Sequence, residues 1–469
     1  TRNSEATFVN AQGLIQSTNT LSSNLVIDEE SLPLTGWSRN GDVYTAVNAT
    51  SNVVLNYTSG FNFSIGDLVE VSYEVFDYVS GQIRIQLAGG GQAKYTTPSV
   101  SNSVFTETLL LTGNNTEAAI IHNNTNPTLK IKNFSIKKII TETNTPRLDY
   151  STGAEAFLLE PQSTNLITDS NDANDIGGGV VETSSGISPD GTQNAFKLTF
   201  GVGQNDGATL YIGGSTALPS TEYTFSVYAK SVNGDGTFNI RIDTDTQALV
   251  DNNNFTSTSE WQRYSFTFTT DAACSSFSWN TRLRGVTDNN EILFYGLQVE
   301  ELSYATSLIP TSGTTVTRNR ELCYDATPVI NSEEGTLYAE IKGLVSGGLN
   351  RFITIGDGTS ANSIGLYLNS TSGRISVEVR RSGSSTEYIE TTTATQTDMN
   401  KIAVLYKDND YQLWVNGVKA AFSTTALTPT ALSTISFKPQ ATTSQSFFGN
   451  TKGLKVYPKA LSDVELQDL

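Results

Sequence analysis

Apolar and polar residues alternate through Val69-Glu70-Val71-Ser72-Tyr73-Glu74-Val75 and again through Gln82-Ile83-Arg84-Ile85-Gln86-Leu87. A period of two puts successive side chains on opposite faces of a strand, so both stretches predict half-buried strands. Further strands are predicted at 42–47, 53–57, 106–111, 118–121 and 129–137. Gly66-Asp67, Ser80-Gly81 and Gly89-Gly90-Gly91 punctuate them with turn residues. Between 168 and 302 the scheme recurs. Residues 223–229 alternate as 69–75 do, and Phe238-Asn239-Ile240-Arg241-Ile242-Asp243 mirrors 82–87. In 82–87 and in 238–243 alike, isoleucines face one way and a polar–Arg–polar series faces the other. Order and pattern together predict a structural duplication. Short strands at this spacing predict sandwiches or jelly rolls rather than βαβ units.

Three other stretches have a local reading. Arg147-Leu148-Asp149-Tyr150 is extended, Ser151-Thr152-Gly153 supplies a turn, and an apolar strand at 156–159 stops at Glu160-Pro161, because proline cannot donate to a ladder. Asn416-Gly417 predicts a type I′ hairpin, since both central residues of that turn need φ > 0. Ser462-Asp463-Val464-Glu465 predicts a capping box opening one short C-terminal helix, with Leu461 stapled onto Leu466. Residues 303–333, with Pro310 and Gly313, read as a linker.

Composition narrows the function. Asp and Glu total 47 against 29 Lys and Arg, a net charge of -18, which disfavours nucleic acid and anionic membrane as partners. No apolar run approaches the ~20 residues of a membrane-spanning helix, so no membrane insertion is expected. Thr1 in place of an initiator methionine implies an N-terminus that is processed, trimmed or left out. Cys274 and Cys323 are the only cysteines and read as free thiols. His122, the only histidine, stands where a strand meets a polar turn, and zinc sites needing several His or Cys ligands are excluded. Paired acids such as Glu70 and Glu74 could serve glycoside cleavage. Exposed strand faces collect charge more often than they form such pairs, and no E-x-D-x-x-E signature occurs.

Sugars are held by stacking and by bidentate hydrogen bonds, which Arg, Asn, Gln and Asp beside an aromatic supply. The candidate ligand faces are Glu74, Gln82, Arg84 and Gln86 in the first repeat, and Tyr228, Asn239, Arg241 and Asp243 in the second. A solvated sheet face is the commoner reading of each, and the repetition of polar–Arg–polar keeps the binding reading open. Trp37, Trp261 and Trp414 read as core; Trp279 is the tryptophan placed to face a ligand. Asp357, in Gly356-Asp357-Gly358-Thr359, is a weak Ca²⁺ candidate, since one carboxylate is thin for a cation wanting six to eight oxygens.

Pro146-Arg147-Leu148-Asp149-Tyr150 with Leu158-Leu159-Glu160-Pro161-Gln162-Ser163-Thr164-Asn165-Leu166-Ile167 resembles a connector of phage virion proteins, tail-fibre-like and adhesin-like chains with lectin-type modules. In that family the connector directly follows a segment like residues 1–16, so the resemblance implies that 17–142 is a module inserted in a loop, with Gln16 and Asn144 close. Residues 304–318 resemble the lead into a terminal lectin-like module. Gly335-Thr336-Leu337-Tyr338-Ala339-Glu340 and Tyr411-Gln412-Leu413-Trp414-Val415-Asn416-Gly417-Val418 resemble a laminin-G or concanavalin-A-like sandwich. The two repeats resemble carbohydrate-binding jelly-roll modules.

The expected fold is therefore all-β. Residues 1–16 and 143–167 are connector halves, 17–142 an inserted jelly roll, 168–302 a second jelly roll, 303–333 a linker and 334–469 the laminin-G-like domain. The implied function is a non-enzymatic tail- or head-fibre protein at the virion surface that binds host glycans without a cofactor. Its implied partners are bacterial surface polysaccharide, other virion proteins and further copies of itself. A bacterial extracellular adhesin or filament subunit, and a polysaccharide-degrading enzyme, are the alternatives.

Overall fold

The computed structural model describes residues 2–25, 36–50, 53–57, 63–87, 94–96, 99–113, 118–121, 125–176, 179–200, 207–210, 217–246, 248–249, 254–277, 282–285, 291–392, 394–440 and 442–469. Among them are many short antiparallel strands and one helix, Asp463–Asp468. The chain divides into two compact units, Asn19–Glu142 and the combination of Thr1–Thr18 with Thr143–Leu469.

Asn19–Glu142 is a two-sheet sandwich. One sheet runs Ser103–Leu110, Leu68–Ser80, Thr128–Ile140, Val43–Ala46, Trp37–Asn40, and the other runs Val53–Tyr57, Ala118–Ile121, Arg84–Leu87, Lys94–Tyr95. The alternation at 69–75 and 83–87 buries Val69, Val71, Val75, Ile83, Ile85 and Leu87 between the sheets.

The larger unit holds a second sandwich with the same plan. Its first sheet runs Gln262–Thr269, Glu222–Ser231, Glu291–Glu300, Ala195–Thr199, Val180–Gly186. The facing sheet runs Asn174–Ile176, Gly207–Thr209, Arg282–Gly285, Gly236–Asp243, Ala248–Leu249, with Asn254–Ser257 also on Gly236–Asp243. Taken in chain order, each strand from Trp37–Asn40 to Thr128–Ile140 has a counterpart at the same sheet position between Val180–Gly186 and Glu291–Glu300. Asn254–Ser257 is an addition. The core here is phenylalanine-rich: Phe196, Phe225, Phe238 and Phe294 close around Ile240 and Leu283.

The same unit ends in a third sandwich. Glu334–Gly343, Asn400–Lys407, Tyr411–Val415, Val418–Ser423 and Gly449–Tyr457 form one sheet, faced by Arg351–Gly356, Ser363–Leu368, Ile375–Arg381, Ser384–Thr391 and Thr434–Ser436. Asn416 and Gly417, at φ 51° and 76°, make the two-residue hairpin turn. The Ser462–Glu465 capping box forms, and Leu461 and Leu466 are both buried beside Trp414. The connector is not separate from this sandwich. Its hairpin, Arg147–Asp149 with Ala156–Leu159, extends the sheet, with Phe157, Leu158 and Leu159 opposite Thr451, Asn450 and Gly449.

Residues 303–333 differ from a solvated tether. Thr306, Leu308, Ile309, Arg318 and Glu321 are buried, and Val316–Arg318 pairs with Ser163–Asn165. The Ser/Thr/Pro/Gly composition gives no hint of this, because the partners that bury these residues lie far away in sequence.

Candidate functional site

The segments that carry the connector resemblance meet in one buried ionic hub. The Arg147 guanidinium, fully buried, bonds both carboxylate oxygens of Glu321, ion-pairs with Glu160 at 2.9 Å and donates to the Thr7 carbonyl at 2.7 Å. Arg318 reaches the same Glu160 at 2.8 Å, and Arg2 reaches Glu321 at 2.7 Å. Ser307 donates its amide and hydroxyl to Glu160 at 2.7 and 2.6 Å. Burial alone would raise the Glu160 pKa; Arg318 and Arg147 outweigh it and hold the carboxyl at about 2. Asn165, fully buried, donates to the Leu297 and Ile309 carbonyls and accepts from the Ile167 and Val299 amides. These contacts tie together segments far apart in sequence, which gives the connector motif a structural role.

The polar candidates of the second sandwich lie on the side of the Gly236–Asp243 sheet that faces away from the core. Phe238, Ile240 and Ile242 point into the core, so Asn239, Arg241 and Asp243 lie on the other side of the strand, where Asn239 and Asp243 are buried and Arg241 is half-buried. The neighbouring strand Arg282–Gly285 runs antiparallel, with Arg241 opposite Arg282 and Asn239 opposite Arg284, while Leu283 faces inward. Three guanidiniums thus share this strand pair with one carboxylate. Asp243 pairs with Arg241 through two contacts of 2.8 Å. Arg282 is buried, whereas Arg241 and Arg284 are half-buried. Burial first, then the charge of Arg241, lowers the pKa of both Arg282 and Arg284. Among the described residues, no aromatic ring points outward from these two strands.

The expected group is thus brought together only in part. Asn239, Arg241 and Asp243 share the face, while Tyr228 belongs to Glu222–Ser231 in the opposite sheet. There Tyr228 packs against Tyr295 and under Arg263, and lines a cleft of about 230 Å³ with Asp149, Ser151, Lys342 and Asn450. Arg282 and Arg284 were not anticipated. The Arg-Leu-Arg alternation is the signal that could have found them, but it is three residues long.

The first sandwich divides the same way. Arg84 and Gln86 share one side of the smaller sheet, Gln82 precedes its strand, and Glu74 stands in the larger sheet, 3.1 Å from Lys132. The Arg84 guanidinium lies 4.0 Å from the centroid of the exposed Tyr95 ring, and Tyr95 stands opposite Gln86. Both misassignments have one cause: the chain crosses from sheet to sheet between the paired strands instead of turning back as a hairpin.

Asp357 closes its own turn, accepting from the Thr359 amide and hydroxyl at 2.8 and 2.7 Å and from the Asn362 amide group at 2.9 Å. No group of three or more His, Cys, Asp or Glu side chains that could hold a metal occurs among the described residues. Trp279 and His122 lie outside the described residues. Trp414 is buried, with its indole N–H on Gln412, while Trp37 and Trp261 are half-buried against core clusters. Cys274 and Cys323 are free thiols.

A family model described as a carbohydrate binding domain (CBM_4_9) matches residues 175–281, which contain the Arg241 strand. A comparison with curated proteins finds no match. Similar solved structures include the CBM40 of Ruminococcus gnavus IT-sialidase bound to alpha2,3 sialyllactose, at 22% identity over 29% of this chain and 83% of that one, TM-score 0.26. The CBM22-1-CBM22-2 tandem of Paenibacillus barcinonensis Xyn10C has 11% identity over 57% and 94%, TM-score 0.22. Mouse laminin alpha1 chain domains LG4-5 have 11% identity over 63% and 96%, TM-score 0.21.

Proposed function

We propose that this chain is a non-enzymatic surface or fibre protein of a phage virion that adheres to glycans on the host cell. The observation that carries the adhesive part is the polar side of Gly236–Asp243, with Arg241 half-buried on it, within the segment matched by a carbohydrate-binding domain. Arg241, half-buried beside the buried Asn239 and Asp243, supplies the planar, bidentate hydrogen bonding that sugar hydroxyls accept. The virion part rests on the likeness of residues 1–16, 144–167 and 304–318 to virion connectors. In this reading the unit Asn19–Glu142 is an added adhesive module, and other virion proteins and further copies of the chain are its partners. Binding uses protein groups alone, without a cofactor. The acids on the candidate faces are engaged with cations, Asp243 with Arg241 and Glu74 with Lys132, which favours adhesion over bond cleavage.

Electrophoresis of the full chain through gels containing host surface polysaccharide tests the proposal. Retardation by a subset of polysaccharides, with no new reducing ends on prolonged incubation, is expected. Unretarded migration in all of them, or release of reducing ends, overturns it.

A further inference from the structure

The cleft lined by Tyr228 lies wholly within the larger unit, and a row of three side chains from adjacent strands lines one side of it. Leu158 on Ala156–Leu159 stands opposite Asn450 on Gly449–Tyr457, and Asn450 stands opposite Lys342 on Glu334–Gly343. Their chain neighbours Phe157, Leu159 and Ile341 pack in the core of the C-terminal sandwich, so the row takes the other side of the sheet. Asn450 is 3% exposed, and its Nδ2 has no hydrogen-bond partner among the described residues. Lys342, half-buried beside it, makes no ion pair or side-chain hydrogen bond among them either. The acids of the cleft are occupied. Asp149 accepts from the Val9 amide at 2.8 Å and the Ser151 amide at 3.0 Å, and Glu160 is held by Arg147, Arg318 and Ser307. A buried donor without a partner raises the free energy of the folded state, and an acceptor brought in by a ligand relieves it.

We infer that this cleft holds one uronic acid residue of a glycan, its carboxylate received by Asn450 and Lys342. Side chains directly opposite each other on antiparallel strands have Cβ atoms about 4.5–5.5 Å apart, so an amide N–H and an ammonium can each take one oxygen of the same carboxylate. The bond from the ammonium is charge-assisted, and a hydroxymethyl group in place of the carboxylate forfeits it. Leu158 and Tyr228 supply an apolar wall for the ring carbons. Arg263, 5.3 Å from the Tyr228 ring centroid, donates to the Thr306 carbonyl at 2.6 Å and the Ser226 hydroxyl at 2.9 Å, which fixes that wall. A volume of about 230 Å³ falls below the ~300–1,000 Å³ usual for drug-sized ligands and limits the occupant to about one sugar residue.

This gives the carbohydrate-binding reading above a second site and depends on that reading, so the test separates the two. The full chain is titrated, with ligand-observed nuclear magnetic resonance as the readout, with methyl glucuronide, with methyl glucoside and with acetate. The glucuronide is expected to bind at least about tenfold more tightly than either of the others. Lys342→Gln, and Asn450→Asp, which replaces the free donor by a charged acceptor of the same size, are each expected to lose about tenfold in affinity for the glucuronide. Lys401→Gln removes an exposed charge from the same sheet, outside the cleft, and is expected to change nothing. Unfolding midpoints verify that each variant is folded. Equal affinity for glucuronide and glucoside, acetate binding as tightly as the glucuronide, or unchanged affinity in both Lys342→Gln and Asn450→Asp overturns the uronic acid site and leaves carbohydrate binding standing. Failure to bind any of the three probes, in a chain that polysaccharide gels retard, overturns the site alone; failure in both assays overturns both readings.

Discussion

Arg147 has no access to solvent, and its guanidinium is surrounded by two carboxylates, a carbonyl and a hydroxyl. Removing one partner of such a pair leaves an uncompensated buried charge, so Arg147→Ala is expected to destabilise the larger unit by about 3–5 kcal/mol, read from denaturant unfolding. The same hub sets an acid limit. Glu160 titrates near 2 in the folded chain against 4.5 ordinarily. Because its folded pKa is depressed, its stabilising contribution is fully present above about pH 4.5 and is lost as pH falls toward about 2. Thermal unfolding midpoints should fall across that window, and Glu160→Gln, weaker at neutral pH, should show a flatter profile. None of this was legible beforehand. Arg147, Glu160, Arg318 and Glu321 stand out in sequence as parts of recognisable motifs, yet their roles depend on contacts spanning as many as 319 residues.

At the scale of single elements much more could be read. The alternation at 69–75 lies inside Leu68–Ser80, and the stretches 82–87, 118–121 and 129–137 fall on Arg84–Leu87, Ala118–Ile121 and Thr128–Ile140. Period two reports which residues turn inward; it does not report which sheet a strand joins. That is why Glu74 and Tyr228 were grouped with residues on the far side of their sandwiches. Local signals with a stereochemical cause survive in full. A Cβ on Gly417 would come within 2.8 Å of the Gln467 carbonyl oxygen, and its φ of 76° suits glycine. Gly417→Ala is expected to lower stability by about 1–2 kcal/mol, read from the unfolding midpoint. Ser462→Ala, which removes the helix cap, is expected to cost about 1 kcal/mol in the same assay, with the β-sheet circular dichroism unchanged.

Across the whole molecule, one sandwich plan is used twice with different surface chemistry. The inward residues of the two copies are interchangeable in kind, Ile83 and Ile85 against Ile240 and Ile242. Their outward residues are not: Arg84 with Tyr95 in one, Arg241 with Arg282 and Arg284 in the other. Conserving a core while varying a face keeps the fold and changes what it can hold. The most direct test is a glycan array probed with the full chain and with its Arg241→Gln variant, both verified as folded by their unfolding midpoints. Retention of a defined set of glycans by the parent, and weaker retention of that set by the variant, is the predicted result. An array on which the parent retains nothing, or on which the variant retains every glycan equally well, contradicts it.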